Sequence, residues 1–518
     1  MQTTDATFTA TEKLQVRHPR QRTLISWKKN YNSAYTFFTI GVSLIGGNDL
    51  IKGNNDALTQ WDKYDYDDET NRVMDLSYER EMVQPVGSMF KALADVTLDN
   101  YDDRFTRGVD ADIGTSLLPM RPIKIATGFK QSDGLINTIM QFVGLTSSNP
   151  DVDAKTKKAK IHAEDFLEYL WEKKIADTSM FTSKRSDWVI EQLLTDAGFA
   201  TSQYDLDLGS QIIPFGMFEK DETFGNYIQK VCEAELGNFY QDENGILRFE
   251  NREHWANSPY DSPIKSIYTS DVLDLSYPGI DDIINYVEIE SQPRDVMENQ
   301  LVFSLNDSYI ELAPNTKTEK FIDFDNPMYS IDTPSISDGS STYKVTQNQD
   351  GTGTNYTSSV TIKSFDAFSK SSKVVFENTS SKTLYVTTFD LYGRPAKPLN
   401  PVYIAEKRSS SYTAYQPHSY KIENDFISLE YARSLAQMIL ERSAFPEDRL
   451  EIKIKAMPDL QLGDMISYAG RWWQIFSIAI ELSAEGGFVQ TLKLLKRTIA
   501  KYFRIGVSTI GDTDIIAP

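Results

Sequence analysis

One phrase occurs twice in this chain. Val73-Met74-Asp75-Leu76-Ser77-Tyr78 returns as Val272-Leu273-Asp274-Leu275-Ser276-Tyr277 with a single apolar exchange. A match of this length arises by chance in about one chain in ten of this size and composition, so its weight comes from the company it keeps. The first copy precedes the alternating segment Ala94-Asp95-Val96-Thr97-Leu98-Asp99-Asn100, and the second precedes Ile284-Asn285-Tyr286-Val287-Glu288-Ile289. Alternation of apolar and polar residues is what a strand with one buried face requires. The repeat therefore marks corresponding points of two β-rich modules in a chain of 518 residues, which is too long for one core.

Residues 1–35 read as a polar extended arm or a first strand, and Tyr35 to Ile45 as a strand ending in the turn Gly46-Gly47. Further strand patterns follow at Arg121 to Ile125, Met140 to Gly144 and Lys158 to Ala163, separated by turn residues as in a sandwich or barrel. The middle of the chain switches to helical spacing. Ser186 is expected to cap a helix carrying Trp188, Val189, Leu193 and Leu194 that stops at Gly198. Asp221 is expected to cap a second helix, with Phe224, Tyr227, Ile228 and Val231 on one face and Gly237 as terminator. Asn244-Gly245 then predicts a hairpin between Asn238-Phe239-Tyr240 and Ile246 to Phe249, because both turn residues accept positive φ. Helix, helix and hairpin make an α+β module.

Beyond the second copy, residues 300–420 are rich in Ser, Thr and Asn, with strand-like runs at Ser359 to Ile362, Lys373 to Phe376 and Thr383 to Thr387. This reads as a small inserted β-sandwich. Ser428 then caps a helix bearing Ala432, Leu435, Ala436, Ile439 and Leu440, and Pro446 marks its end. Strands at Leu450 to Ile454, Arg471 to Ile475 and Val489 to Leu494 form a second β array, and a loose tail follows Phe503.

The composition narrows the chemistry. A net charge of −21 argues against binding nucleic acid by neutralising phosphates, although an acidic wall lets DNA slide past. The single Cys232 excludes intrachain disulfides and multi-cysteine metal motifs, and the four His residues lie outside metal-ligand spacing of one another. The start of the chain lacks the blocks of a signal peptide, and the longest apolar stretch, Phe37 to Ile45, is short of a membrane span. No P-loop, G-x-S-x-G elbow or H-E-x-x-H occurs. Asp62, Asp65, Asp67, Asp68 and Glu69 are close enough to collect round calcium but lack the glycine and closing glutamate of an EF-hand loop; a solvated loop is the simpler reading. Asp99 to Arg104 reads as a turn rich in side-chain-to-backbone bonds. His162 sits in a strand and Cys232 on an apolar helix face, where structural roles are the default. Trp472-Trp473 in a strand sends its two indoles to opposite faces, against a flat carbohydrate platform. No catalytic, cofactor-binding or metal-ligating residue is assigned.

Four stretches resemble the tail hub proteins of bacteriophages, in order along the chain. They are Ala94 to Asn100 with Arg104-Phe105 and Leu118 to Ile125; Arg185 to Phe199; Phe239 to Phe249; and Leu460-Gln461-Leu462-Gly463-Asp464-Met465-Ile466. The resemblance implies a β-rich α+β multidomain chain with two tube-like β-barrels. Its parts would be an N-terminal arm and first barrel over 1–175 and an α+β linking module over 176–265. The second barrel with its helix would span 266–300 and 421–505, around an inserted sandwich at 301–420, with a tail at 506–518. It further implies a non-enzymatic virion protein of the tail tip, without cofactor or membrane anchor, assembled in the host cytoplasm. As a homotrimer it would join a six-fold tail tube or distal tail ring to a three-fold tip, spike or fibre complex. Tape measure protein and, in transit, genomic DNA would pass through its channel. The chain ends soon after the second barrel, so receptor binding and wall digestion are expected of other subunits. Competing readings are a carbohydrate- or receptor-binding tail protein acting through 301–420, a tail-associated peptidoglycan hydrolase, and a hexameric distal tail ring protein.

Overall fold

The computed structural model describes residues 2, 4, 6–12, 17–28, 64–82 and 87–496. From the last span, residues 133, 176, 177, 179, 219–221, 257–259, 261, 278–282, 306, 307, 336–341, 447 and 485 are excepted. The expected strand at Tyr35 to Ile45, the cap Asp221 and the tail beyond Phe503 lie outside the described residues.

The first β module contains β1 (Pro19–Ile25), β2 (Asp67–Asp68), β3 (Val73–Glu81), β4 (Ala92–Asp99), β5 (Pro122–Lys130), β6 (Ile136–Thr146), β7 (Asp151–Asp153) and β8 (Lys158–Glu164). The second contains β14 (Lys265–Ser266), β15 (Val272–Ser276), β28 (Arg449–Lys455), β29 (Met465–Tyr468), β30 (Arg471–Ser483) and β31 (Gly487–Lys496). All belong to one 14-stranded sheet. The two expected barrels are therefore not closed: no sheet of the described residues closes on itself. The physical reason is in the pairing, since β3, whose outer edge would close the first module, is taken by β30 of the second. A single apolar core runs beneath both modules, from Leu76, Val96 and Ile125 to Ile452, Ile480 and Leu492.

A second core gathers the α+β module. Helix α1 (Ala6–Glu12) sets Phe8 on Phe129 of β5, and the second core holds α2 (Leu167–Glu172), α3 (Ser186–Asp196), α4 (Phe224–Glu235) and the hairpin of β12 (Asn238–Gln241) and β13 (Leu247–Glu250). The smaller strands β9 (Phe181–Arg185), β10 (Tyr204–Leu206) and β11 (Ile212–Gly216) flank them. The helix at 186 stops at Gly198 (φ 92°) as expected, but Ser186 does not cap it. Its hydroxyl donates instead to Glu235 at 2.7 Å. Thr223 caps α4 through the Asn226 N–H, and Leu236, not Gly237, adopts the left-handed conformation that ends it.

The strand after the second copy of the repeat also departs from expectation. β16 (Tyr286–Ser291) does not join the second β array but pairs with β26 (Val402–Lys407) and, past the short α5 (Ser409–Tyr415), β27 (Ser419–Glu423). Helix α6 (Leu429–Ser443) packs on this small sheet as part of the second core, with Ser428 accepting from the Tyr431 N–H at its cap. Between these strands lies the inserted sandwich, with its own core. One sheet is built on the 15-residue β25 (Leu384–Pro398), flanked by β17 (Arg294–Val296), β18 (Gln300–Ser304), β19 (Ile310–Leu312), β21 (Met328–Ile331) and β22 (Thr342–Thr346). The other comprises β20 (Lys317–Asp323), β23 (Val360–Ala367) and β24 (Ser371–Asn378).

Candidate functional site: the joint between the β modules

The two modules meet where β3 pairs antiparallel with β30, from Asp75 opposite Ser483 to Glu81 opposite Ser477. The alternation of β3 sends Leu76, Tyr78 and Arg80 inward, while Ser77, Glu79 and Glu81 stay on the open face. Tyr78 is 4% exposed and lies opposite Ile480. Burying a side chain of this size contributes about 2 kcal/mol, and its hydroxyl is satisfied by donating to Gln141 Oε1 at 2.5 Å. Burial pushes the phenol well above its usual range. On the open face, Lys493 reaches Glu81 at 2.6 Å, Lys453 reaches Glu481 at 3.5 Å and Lys160 reaches Asp95 at 3.3 Å.

The repeated phrase is repeated in structure. A one-turn 3-10 helix, Thr70–Arg72 or Thr269–Asp271, precedes each copy, and the N–H of Val73 or Val272 bonds back to the carbonyl of Thr70 or Thr269. Each copy then breaks register with its partner strand at the same place, between Val73 and Asp75 and between Val272 and Asp274. Such a bulge bends and twists a strand at a fixed point. The strand paths also correspond: β3-β4-β8-β6-β5-β1 in one module, β15-β28-β31-β30-β29-β14 in the other. The partner of β15 is thus β28, more than 170 residues downstream, and not the Ile284 to Ile289 segment that follows it in sequence. The copies differ at one edge. Tyr78 is buried, whereas Tyr277, just past the end of β15, is 72% exposed, and β15 has no second neighbour among the described residues.

The α+β module is fastened to both β modules by buried polar groups. Glu243, in the β12–β13 turn, accepts from Arg80 of β3 at 3.3 Å and from Gln461 of the segment before β29. Gln141 of β6 receives Arg80 on its carbonyl at 2.7 Å and donates to the Pro458 carbonyl at 2.9 Å. A cavity of about 200 Å³ beside this contact is lined by Asp242, Arg248, Glu250 and His254 among others. Nδ1 of His254 lies 2.7 Å from Asp207, and its Nε2 lies 3.4 Å from Glu250, which also accepts from the Tyr240 hydroxyl at 2.6 Å. Burial pushes Glu250 up to about 7 against the pull of His254. Burial opposes the His254 imidazolium, but its bond to Asp207 and the charge of Glu250 leave it above its usual value. The spacing of Glu250 and His254, four residues apart, is the signal by which sequence reasoning had access to this cluster and passed over it.

The acidic run expected as a solvated loop is not one at its end, where Asp67–Asp68 form a strand and Glu69 is buried. Asp67 and Asp68 pair with Ile25 and Leu24, while buried Glu69 accepts from Trp27 at 3.0 Å and Arg104 at 2.9 Å. Asp62 lies outside the described residues. Among the described residues no group of three or more His, Cys, Asp or Glu is placed to hold a metal ion. In the turn after β4, Asp99 accepts from the Tyr101 N–H, Asn100 from the Phe105 N–H, and Asp102 holds Arg72 by two bonds. His162 lies 2.6 Å from Asp95. Cys232 is fully buried in α4, and burial pushes its thiol well up. Trp473 is buried and Trp472 is 45% exposed, as alternation requires. No described helix is long and apolar enough to cross a membrane.

No family model and no curated protein matches the chain. Solved structures similar to it are type VI secretion proteins and phage tail proteins, the latter the class that the sequence motifs resemble. The 43 kDa tail protein of prophage MuSo2 from Shewanella oneidensis aligns over 84% of this chain and 96% of its own, at 8% identity and a TM-score of 0.43. The tail protein from Neisseria meningitidis MC58 aligns over 84% and 94%, at 9% identity and a TM-score of 0.45. The E. coli c3393 protein, a component of the type VI secretion system, aligns over 82% and 74%, at 8% identity and a TM-score of 0.35.

Proposed function

We propose that the chain is a non-enzymatic structural subunit of a phage tail tip or baseplate, acting as the hub that joins the tail tube to the tip. The observation that carries this reading is the duplicated β module, whose two copies merge into one sheet through β3 and β30. A chain holding two equivalent units is suited to a symmetry change: three copies present three-fold symmetry to a tip and six similar units to a tube. In that arrangement the sandwich carried between β16 and β26 projects from the ring, while β16 and α6, expected in the second barrel, pack with the α+β module. On the open face beside the joint stand Glu79, Glu81 and Glu481, with Lys493 and Lys453 on the last two. Such a face suits a channel through which tape measure protein and DNA pass without sticking. Distal tail or tail tube rings on one side and tip, spike or fibre proteins on the other are the partners of this reading.

Antibodies raised against the chain and applied to virions of the phage that encodes it test the placement by electron microscopy. Labelling confined to the tail tip is expected; labelling along the tube, or on the capsid, would contradict it.

A further inference from the structure

The cavity of about 200 Å³ beside the Arg80–Glu243 contact has a wall that packing alone does not explain. Leu462 is the one lining residue without a polar side-chain group, and Arg80, Tyr240, Asp242, Glu243 and Glu250 are each less than a tenth exposed. Burying so many polar groups around a space costs free energy unless something polar fills it. The charges of the wall are matched. Arg248 pairs with Asp242 at 2.9 Å, Arg80 with Glu243 at 3.3 Å and His254 with Glu250 at 3.4 Å. An ion entering this space is repelled by one member of each pair and finds the other already engaged, so neutral molecules are favoured.

Hydrogen-bonding capacity remains. Among the described residues the buried Arg80 Nε and Glu250 Oε2 have no hydrogen-bond partner. Asn244, exposed in the hairpin turn, adds an amide that both donates and accepts. The Tyr240 and Tyr260 rings supply apolar faces against which C–H groups pack. The space corresponds to about seven waters at ~30 Å³ each, the bulk of one six-carbon ring bearing several hydroxyls. We propose that this cavity binds a single neutral sugar ring or sugar alcohol, held between the β12–β13 turn and the segment before β29. Such an occupant touches the α+β module through Asn244 and the second β module through Gln461, so its binding tightens their contact. The site stands whether or not the chain forms a ring. A free sugar and the end ring of a glycan share this chemistry.

Calorimetric titration of the full chain with glucose, galactose, N-acetylglucosamine and sorbitol tests the site. At least one is expected to bind with a Kd in the millimolar range or below, and to raise the thermal midpoint as its concentration passes that Kd. Glucosamine and glucuronate, which add one charge of either sign to the ring, are expected to bind more weakly than their neutral parent. Glu250→Gln, which keeps the size of the side chain, should weaken binding about tenfold, and Asn244→Ala, on an exposed turn, should weaken it by less. A tetrasaccharide ending in the bound sugar separates the sources. Equal affinity supports the end ring of a glycan, and loss of binding supports a free solute. No binding by any of the four compounds, an affinity unchanged in both variants, or tighter binding of a charged analogue would overturn the site and leave water as the occupant.

Discussion

His254 bridges Asp207, 2.7 Å from its Nδ1, and Glu250, 3.4 Å from its Nε2. This places a proton-binding site between the β13 hairpin and the linker to the second β module. The folded state holds Glu250 near 7 and raises His254, so both bind protons more tightly folded than unfolded. Their stabilising share is fully present below the unfolded Glu value of 4.5 and is lost as pH rises through about 7 and beyond. Asp207, held low by His254, works in the opposite sense only at strongly acidic pH. Asp165, buried and pushed up to about 7, adds to the same trend. Thermal unfolding should therefore show stability falling between pH 5 and pH 8, and Glu250→Gln should flatten the fall by up to about 3 kcal/mol. A variant as pH-sensitive as the parent would show that this cluster does not contribute.

Gly463 is the second fastening of that linker. Its φ is +82°, and a Cβ there would lie 1.5 Å from Cζ3 of Trp255. Gly463→Ala should cost about 3 kcal/mol through strain and displacement of the indole, read as a lower urea midpoint and a red-shifted tryptophan emission.

Glu235 is fully buried at the end of α4. It accepts from the Ser186 hydroxyl at 2.7 Å, the Gln211 N–H at 2.7 Å and the Ser210 N–H at 3.1 Å, with Arg252 at 3.5 Å. Glu235→Ala strands these donors and should cost about 4 kcal/mol, whereas Ser186→Ala should cost about 1 kcal/mol. Urea unfolding of both variants checks the order; equal losses would place the weight elsewhere.

Much of the local structure was legible in sequence because local rules decide it. The alternation of Ala94 to Asp99, the stop at Gly198 and the cap at Ser428 follow from spacing and φ preference; the hairpin expected at Asn244-Gly245 also forms, but its turn runs from Asp242 to Ile246 and only Gly245 takes positive φ. What sequence concealed is set by distant partners. Ser186 is a good cap by type, yet a buried carboxylate 49 residues away claims its hydroxyl. The phrase ending in Tyr277 pointed to the nearest downstream strand, while its true partner β28 lies beyond the inserted sandwich. Nor does any local pattern say that β3 finds β30 instead of closing its own barrel. The resemblance motif at Leu460 to Ile466 gained a physical reason only with Trp255 lying over Gly463.

The hub reading expects two similar β modules per chain to build a ring from three chains. Native mass spectrometry of the purified full chain counts the copies. Three copies are expected; a stable single chain, or a ring of six, would overturn the hub reading.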